Sequence, residues 1–192
     1  MLTTILIGFV LLPLLVTGSI AVVAEPPAGV IAWTCHNKQA LVLLAYDVGP
    51  NRNGWAAFGG HGEEGERIVD TAAREFREET RCAFEKPSAE DLLDQKRSSV
   101  GPFYSYGWQV DYVPAINIEK ARCGTVGERK KFMWVTAADL SHAVHKGEDV
   151  TAVETGFDAP SDRKYPLWFA GSLALQQAMH DGVLPEDNSL CQ

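Results

Sequence analysis

The stretch from Glu66 to Thr80 constrains this chain more than any other. Ile68, Val69, Ala72, Ala73 and Phe76 recur at helical spacing, which predicts one amphipathic helix with a single apolar stripe packed against a sheet. At about 100° per residue, Glu75, Glu78 and Glu79 share a wedge that borders this stripe beside Ala72. Like charges at i,i+3 and i,i+4 repel, and the last turn of a helix is where the macrodipole disfavours anions. A solvated acidic face is the ordinary reading of helix charge. Three carboxylates crowded at the core edge of a last turn point instead to a hard cation, since Mg²⁺ takes a few carboxylates together with substrate phosphate.

The residues around that helix carry a pattern. Gly60 to Cys82 reads GHGEEGERIVDTAAREFREETRC, and the segment resembles the Nudix box: Gly, five residues, Glu, seven residues, Arg-Glu, an apolar residue, any residue, Glu-Glu, any residue, Gly, an apolar residue. Eight of the nine specified positions match, counting Cys82 as apolar. The exception is Arg81, where the family has the glycine that usually ends a helix in the left-handed conformation.

The resemblance implies an α/β fold, a Nudix-like α/β/α sandwich with a mixed β-sheet over residues 30–192. It also implies metal-dependent hydrolysis of a diphosphate linkage in a nucleoside diphosphate derivative or similar small molecule. The cofactor it implies is Mg²⁺, with Mn²⁺ as the alternate. Carried over residue by residue, Glu75, Glu78, Glu79 and the backbone carbonyl of Gly59 hold the metal, and Glu78 is a ligand or the base. Arg74 orients a catalytic Glu, Glu66 fixes the loop, and Glu128 supplies a further carboxylate ahead of a later strand. The catalytic set is then Arg74, Glu78, Glu79 and Glu128, with the identity of the general base open. The rival reading is a Nudix-fold module that binds or senses a nucleotide without turnover. Retention of Glu66, Arg74, Glu75, Glu78 and Glu79 argues against it, because a binder does not need the whole set.

Elsewhere the pattern is strands, turns and two more helices. Val30 to Cys35 and Leu41 to Tyr46 read as strands joined by a tight turn at residues 36–38. Gly49 to Gly54 reads as a loop, and Trp55 to Phe58 as an apolar run entering Gly59 and Gly60. Phe103 to Ala115 alternates, with Tyr104, Tyr106, Trp108, Val110 and Tyr112 on one face that packs a core or stacks a base. Lys131 to Val135 reads as a strand, and Ala137 to His145 and Ala170 to His180 as helices, the order of a layered α/β or α+β domain. Arg129, Lys130 and Lys131 either meet substrate phosphate or form a solvated strand end. His61 is exposed in the glycine loop or touches substrate, and His142 and His145 lack a third partner for a metal.

Leu2 to Ala24 carries no charged side chain, and Glu25 to Gly29, with Pro26 and Pro27, reads as a linker. The apolar segment is expected to be a signal peptide or membrane anchor. The domain would then be exported, periplasmic or secreted, or held at a membrane through residues 1–24, with a cytosolic location as the alternative. Cys35, Cys82, Cys123 and Cys191 show no CxxC spacing, which disfavours structural zinc. Export permits two disulfides of open pairing, and a cytosolic location leaves free thiols. The formal net charge of -8 disfavours a nucleic-acid partner, because that binding rests on clustered Lys and Arg. A small phosphorylated substrate remains compatible when a cation screens the acidic site.

Overall fold

Asn37 and Lys38 both take left-handed backbone, with φ of 50° and 62°, a turn that matches the twist of a two-stranded hairpin. It folds β1 (Ala28–His36) back on β2 (Gln39–Gly49), with Trp33 opposite Val42 and His36 opposite Gln39. The computed structural model describes residues 25–49, 52–122, 129–160 and 163–192. The apolar segment and Glu128 lie outside them, and among the described residues no helix is long and apolar enough to cross a membrane.

β1 begins inside the stretch read as a linker. Ala28 is wholly buried, and Ala28 and Gly29 pair with Gly60 and Gly59 on one side and with Tyr104 and Ser105 on the other. Gly29 is required by this crowding, since a Cβ there would lie 2.0 Å from the Phe58 carbonyl oxygen. The run Trp55 to Phe58 also divides. β3 (Arg52–Ala56) pairs with β2, whereas β4 (Phe58–Gly60) crosses to β1. The loop read at 49–54 is correspondingly shorter, since Gly49 ends β2 and Arg52 starts β3.

Then follow α1 (Ile68–Glu79), α2 (Ala89–Leu93), β5 (Arg97–Val100), β6 (Phe103–Gln109), α3 (Ala115–Lys120) and β7 (Phe132–Thr136). α4 (Ala137–Lys146), β8 (Val150–Thr155), β9 (Lys164–Tyr165) and α5 (Phe169–His180) complete the order. The strands run β5-β6-β1-β2-β7-β8-β9 across the sheet. β1 is parallel to β6 and antiparallel to β2, so the sheet is mixed. The alternation read through Ala115 stops at Gln109, where α3 soon takes over. Tyr104, Tyr106, Trp108, Val110 and Tyr112 nonetheless pack into one core cluster.

Both faces of the central strands are covered, which is why they read as continuous apolar runs. On one face Leu41, Leu43, Phe132 and Trp134 meet Phe76 of α1 and Ile118 of α3. On the other, Val42, Leu44, Met133 and Val135 meet Leu140 of α4 and Leu175 of α5. The result is an α/β/α sandwich. α4 is bounded as its sequence demands: the Thr136 side chain accepts from the Asp139 N–H, and Gly147 closes the helix at φ 70°.

α1 ends without glycine. Arg81 and Cys82 stand at φ 60° and 57°, with the Cys82 N–H on the Arg77 carbonyl at 2.9 Å. Left-handed backbone at a residue with a Cβ costs about 1 kcal/mol. Arg81→Gly should therefore raise the melting temperature by about 2 °C, after allowing for the lost Arg81 Nε to Ala121 carbonyl bond of 3.2 Å. A lower melting temperature would mean that this bond outweighs the strain.

A 3₁₀ turn at Ser189–Cys191 closes the chain against β1. Cys35 and Cys191 form a disulfide spanning 156 residues, and the Asn188 side chain accepts from the Ala40 N–H at 2.8 Å. Cys82 is also disulfide-bonded, and no described cysteine is free. Cross-linking so long a loop restricts the unfolded chain, so Cys191→Ser should lower the unfolding free energy by about 2–4 kcal/mol. Urea unfolding of Cys191→Ser against wild type measures that loss, and identical curves would count against the bond.

Candidate active site

α1 brings its functional side chains to the sheet edge because Val69, Ala72, Ala73 and Phe76 bury its other face. Ahead of it, the loop of residues 61–67 is held by one carboxylate. Glu66 accepts from the Glu63 N–H at 2.9 Å, from the Thr71 hydroxyl at 2.9 Å, and from Arg74 Nε and Nη2 at 2.8 and 3.0 Å. The Arg74 hydrogen bonds, above all, hold the Glu66 carboxyl at about 2, and the same bonds raise Arg74 above its ordinary value.

Arg74 is the hub. Its Nη2 donates to the His61 carbonyl at 2.9 Å, and its Nη1 donates to Glu75 Oε1 at 2.9 Å and Glu78 Oε2 at 3.3 Å. One guanidinium thus fixes the loop and two box carboxylates together. Because the folded-state pKa of Glu66 is depressed, its contribution to stability is present above about 4.5 and is lost as pH falls toward 2. Screening by solvent reduces it to about 1–2 kcal/mol. Glu66→Gln should remove that part of the acid dependence, as read from urea midpoints between pH 6 and pH 3. A parallel slope in the variant would refute the assignment.

The two glycines are needed for packing. A Cβ on Gly60 would lie 2.4 Å from Glu75 Oε1, so the Glu75 carboxylate fills the space a side chain would take. A Cβ on Gly59 would sit 2.8 Å from the Ala28 carbonyl oxygen and from the Phe103 ring.

Glu79 behaves differently from its neighbours. Glu78 is half-buried, but Glu79 is only 4% exposed. Its Oε2 accepts from the Gly59 N–H at 2.7 Å, and its Oε1 from Arg129 Nε at 2.8 Å. Burial pushes its carboxyl up to about 7, outweighing the opposing pull of Arg129 and of the Gly59 N–H. The wedge read from helical spacing therefore splits: Glu75 and Glu78 meet Arg74, whereas Glu79 turns inward. Among the described residues, no three His, Cys, Asp or Glu side chains stand ready to hold a metal ion. The donors that Glu75, Glu78 and Glu79 would offer are nonetheless all carboxylate oxygens, and that chemistry fits a hard divalent ion.

Of the basic run, Arg129 is buried, while Lys130 and Lys131 are exposed. Its partner lies 50 residues away, a distance at which sequence gives no pairing signal. Glu119, on α3, accepts the Phe132 N–H at 3.1 Å and so caps a strand. His142 lies 3.6 Å from Glu148 at the surface. His61 lines a cavity of about 240 Å³ on the α5 side of Gly59 and Gly60, together with Arg129, Phe103 and Trp168.

The NUDIX domain family matches residues 25–153, and the chain belongs to that family. Among solved structures, a MutT/nudix family protein from Enterococcus faecalis is 17% identical over 81% of this chain and 61% of its own, with a TM-score of 0.47. Shewanella oneidensis NrtR, complexed with a 27mer DNA, is 17% identical over 81% of this chain and 60% of its own, with a TM-score of 0.45. The NUDIX domain of the same NrtR with ADP ribose is 17% identical over 82% and 88%, with a TM-score of 0.46. The chain thus spans 61% and 60% of the first two. At these levels their ligands say nothing about this chain. No curated protein matches it.

Proposed function

We propose that this protein is a divalent-metal-dependent pyrophosphohydrolase that cleaves a diphosphate linkage in a small molecule. The observation that carries the reading is the Arg74 hub, which fastens Glu66, Glu75, Glu78 and the glycine loop into one unit beside an open cavity. A surface salt bridge alone would not require Gly60 to yield its side-chain space to Glu75.

Glu75, Glu78, Glu79 and the Gly59 carbonyl are the residues that would hold Mg²⁺ or Mn²⁺, which supplies charge neutralisation at phosphate and a more acidic water. Arg74 keeps Glu75 and Glu78 oriented. Glu78, the most exposed of the three, would take the proton of the attacking water. Glu128, ahead of β7, is retained as a further carboxylate of the set. The net charge of -8 supports a small anionic substrate screened by the cation rather than a nucleic acid.

Binding without turnover is the second reading, favoured by the Arg129 pair that engages one Glu79 oxygen. Phosphate release from a panel of diphosphate derivatives, with Mg²⁺ and with chelator, separates the two. Turnover abolished by chelator supports the hydrolase; ligand binding without turnover on any member supports the binding module.

The segment ahead of residue 25 is proposed to export or anchor the domain. Its uncharged run and the Cys35–Cys191 disulfide both suit an oxidising compartment. Mass spectrometry of the N-terminus of secreted and membrane fractions tests this, and an intact chain confined to the cytosol would refute it.

A further inference from the structure

β6 extends beyond its edge partner. β5 pairs with it only as far as Arg97 opposite Tyr106, so Gly107 to Gln109 have β1 on one side and, among the described residues, no strand on the other. The chain leaving α5 fills part of that gap. Gly182 turns at φ 67°, and Val183 then lies so close to β6 that a Cβ on Gly107 would stand 2.1 Å from its carbonyl oxygen. What remains is a second cavity, of about 540 Å³. It shares no lining residue with the cavity beside Gly59 and Gly60. Along β1, Trp33 at this cavity lies four residues beyond Gly29, the partner of Gly59, or about 13 Å of extended chain.

Small-molecule sites occupy about 300–1,000 Å³ and combine apolar walls with a few orienting polar groups. Here Trp33, half-buried against the core, stands with Leu184 and Pro185 as the apolar wall. Asp94, Gln95, Lys96 and Gln109 form an exposed rim, and among the described residues none of these four side chains makes a hydrogen bond or ion pair. Lys96 reaches across, its Nζ 3.6 Å from where a Cβ on Gly182 would lie. The wall is also held covalently. Leu190, 64% exposed at the lip, precedes Cys191, whose disulfide meets Cys35 two residues beyond Trp33.

These groups define a ligand. A sugar ring offers one face of C–H groups, which an indole covers, and an edge of hydroxyls that both donate and accept. Amide side chains also do both. Gln109 stands opposite Trp33 in the parallel register, on the same face and about 4.8 Å away, within reach of a ring lying on the indole. Gln95 adds a second amide, and Asp94 and Lys96 balance in charge, so the rim suits a neutral molecule. We infer that this cavity binds a neutral saccharide, its ring against Trp33 and its hydroxyls on Gln95 and Gln109.

The test titrates the full chain, with chelator present, with cellobiose, maltose, lactose and N,N′-diacetylchitobiose, read by calorimetry and tryptophan fluorescence. At least one disaccharide should bind with a Kd of about 1 mM or tighter. A hydrogen bond contributes about two- to tenfold, so Gln95→Ala and Gln109→Ala should each weaken that binding by such a factor, and together by at least about tenfold. Both positions are exposed, so these variants keep the fold. Trp33→Leu, which removes the platform, should weaken it by at least about tenfold. Binding of none of the disaccharides at about 10 mM, binding that requires added Mg²⁺, or an affinity unchanged in Gln95→Ala/Gln109→Ala overturns the inference. None of these outcomes bears on the hydrolase reading, because Gln95 and Gln109 lie outside the cavity beside the box.

Discussion

Glu78→Gln should lower kcat by about 10²–10⁴-fold, the range for losing a positioned acid–base group, while the protein remains folded. The separation of the two effects follows from exposure. The Glu78 side chain is 44% exposed, and its described partner is Arg74 at 3.3 Å in an i,i+4 pair. Pairs of that kind contribute about 0.3–0.5 kcal/mol, so the melting temperature should move by no more than about 1–2 °C. Glu64→Gln, at an exposed acid of the preceding loop, is the control for loss of surface charge and should leave kcat unchanged. If Glu78→Gln retained activity within about threefold, Glu78 would not be the base, and the role would pass to a carboxylate the polypeptide holds less openly.

Well above pH 7, where Glu79 must carry its charge, Arg129→Met should lower the unfolding free energy by about 3–5 kcal/mol, the cost of stranding one member of a buried ion pair, and by less at neutral pH and below, where the unpaired carboxyl protonates instead. Glu79 and Arg129 are both nearly inaccessible, with side-chain exposures of 5% and 4%. Glu79 already titrates near 7 because burial outweighs its partners, and removing Arg129 withdraws the larger of the two opposing pulls. The double variant Glu79→Met/Arg129→Met separates lost charge pairing from lost volume. Replacing a whole buried pair by apolar side chains is often neutral or stabilising, so the double variant should recover most of the loss. Urea unfolding of wild type, Glu79→Met, Arg129→Met and the double variant measures the coupling, and purely additive losses would refute it.

What could be read before folding was local. The stripe Ile68, Val69, Ala72, Ala73 and Phe76 announces α1 because helical neighbours are three and four residues apart, and α1 is observed over Ile68–Glu79. The hairpin at Asn37 and Lys38, β7, α4 and α5 were legible for the same reason: each is specified by periodicity and by the residues that bound it. α2, α3, β5, β8 and β9 were not, since each is two to six residues long and none carries the unbroken apolar run that marks β7.

By itself, then, the sequence determined the family, the box helix and the set of carboxylates on it, all of which depend on residues within one or two turns of each other. Only the tertiary structure decided how that set is divided. Helical spacing groups Glu75, Glu78 and Glu79, but Arg129, brought in by the strand order of the sheet, draws Glu79 inward and leaves the other two to Arg74. The same holds for the room that Gly60 cedes to Glu75, the union of Cys35 with Cys191, and the apolar cavity assembled from β1, β4, β6 and α5. Each joins residues far apart in the chain, and such contacts are set by how the strands and helices stack.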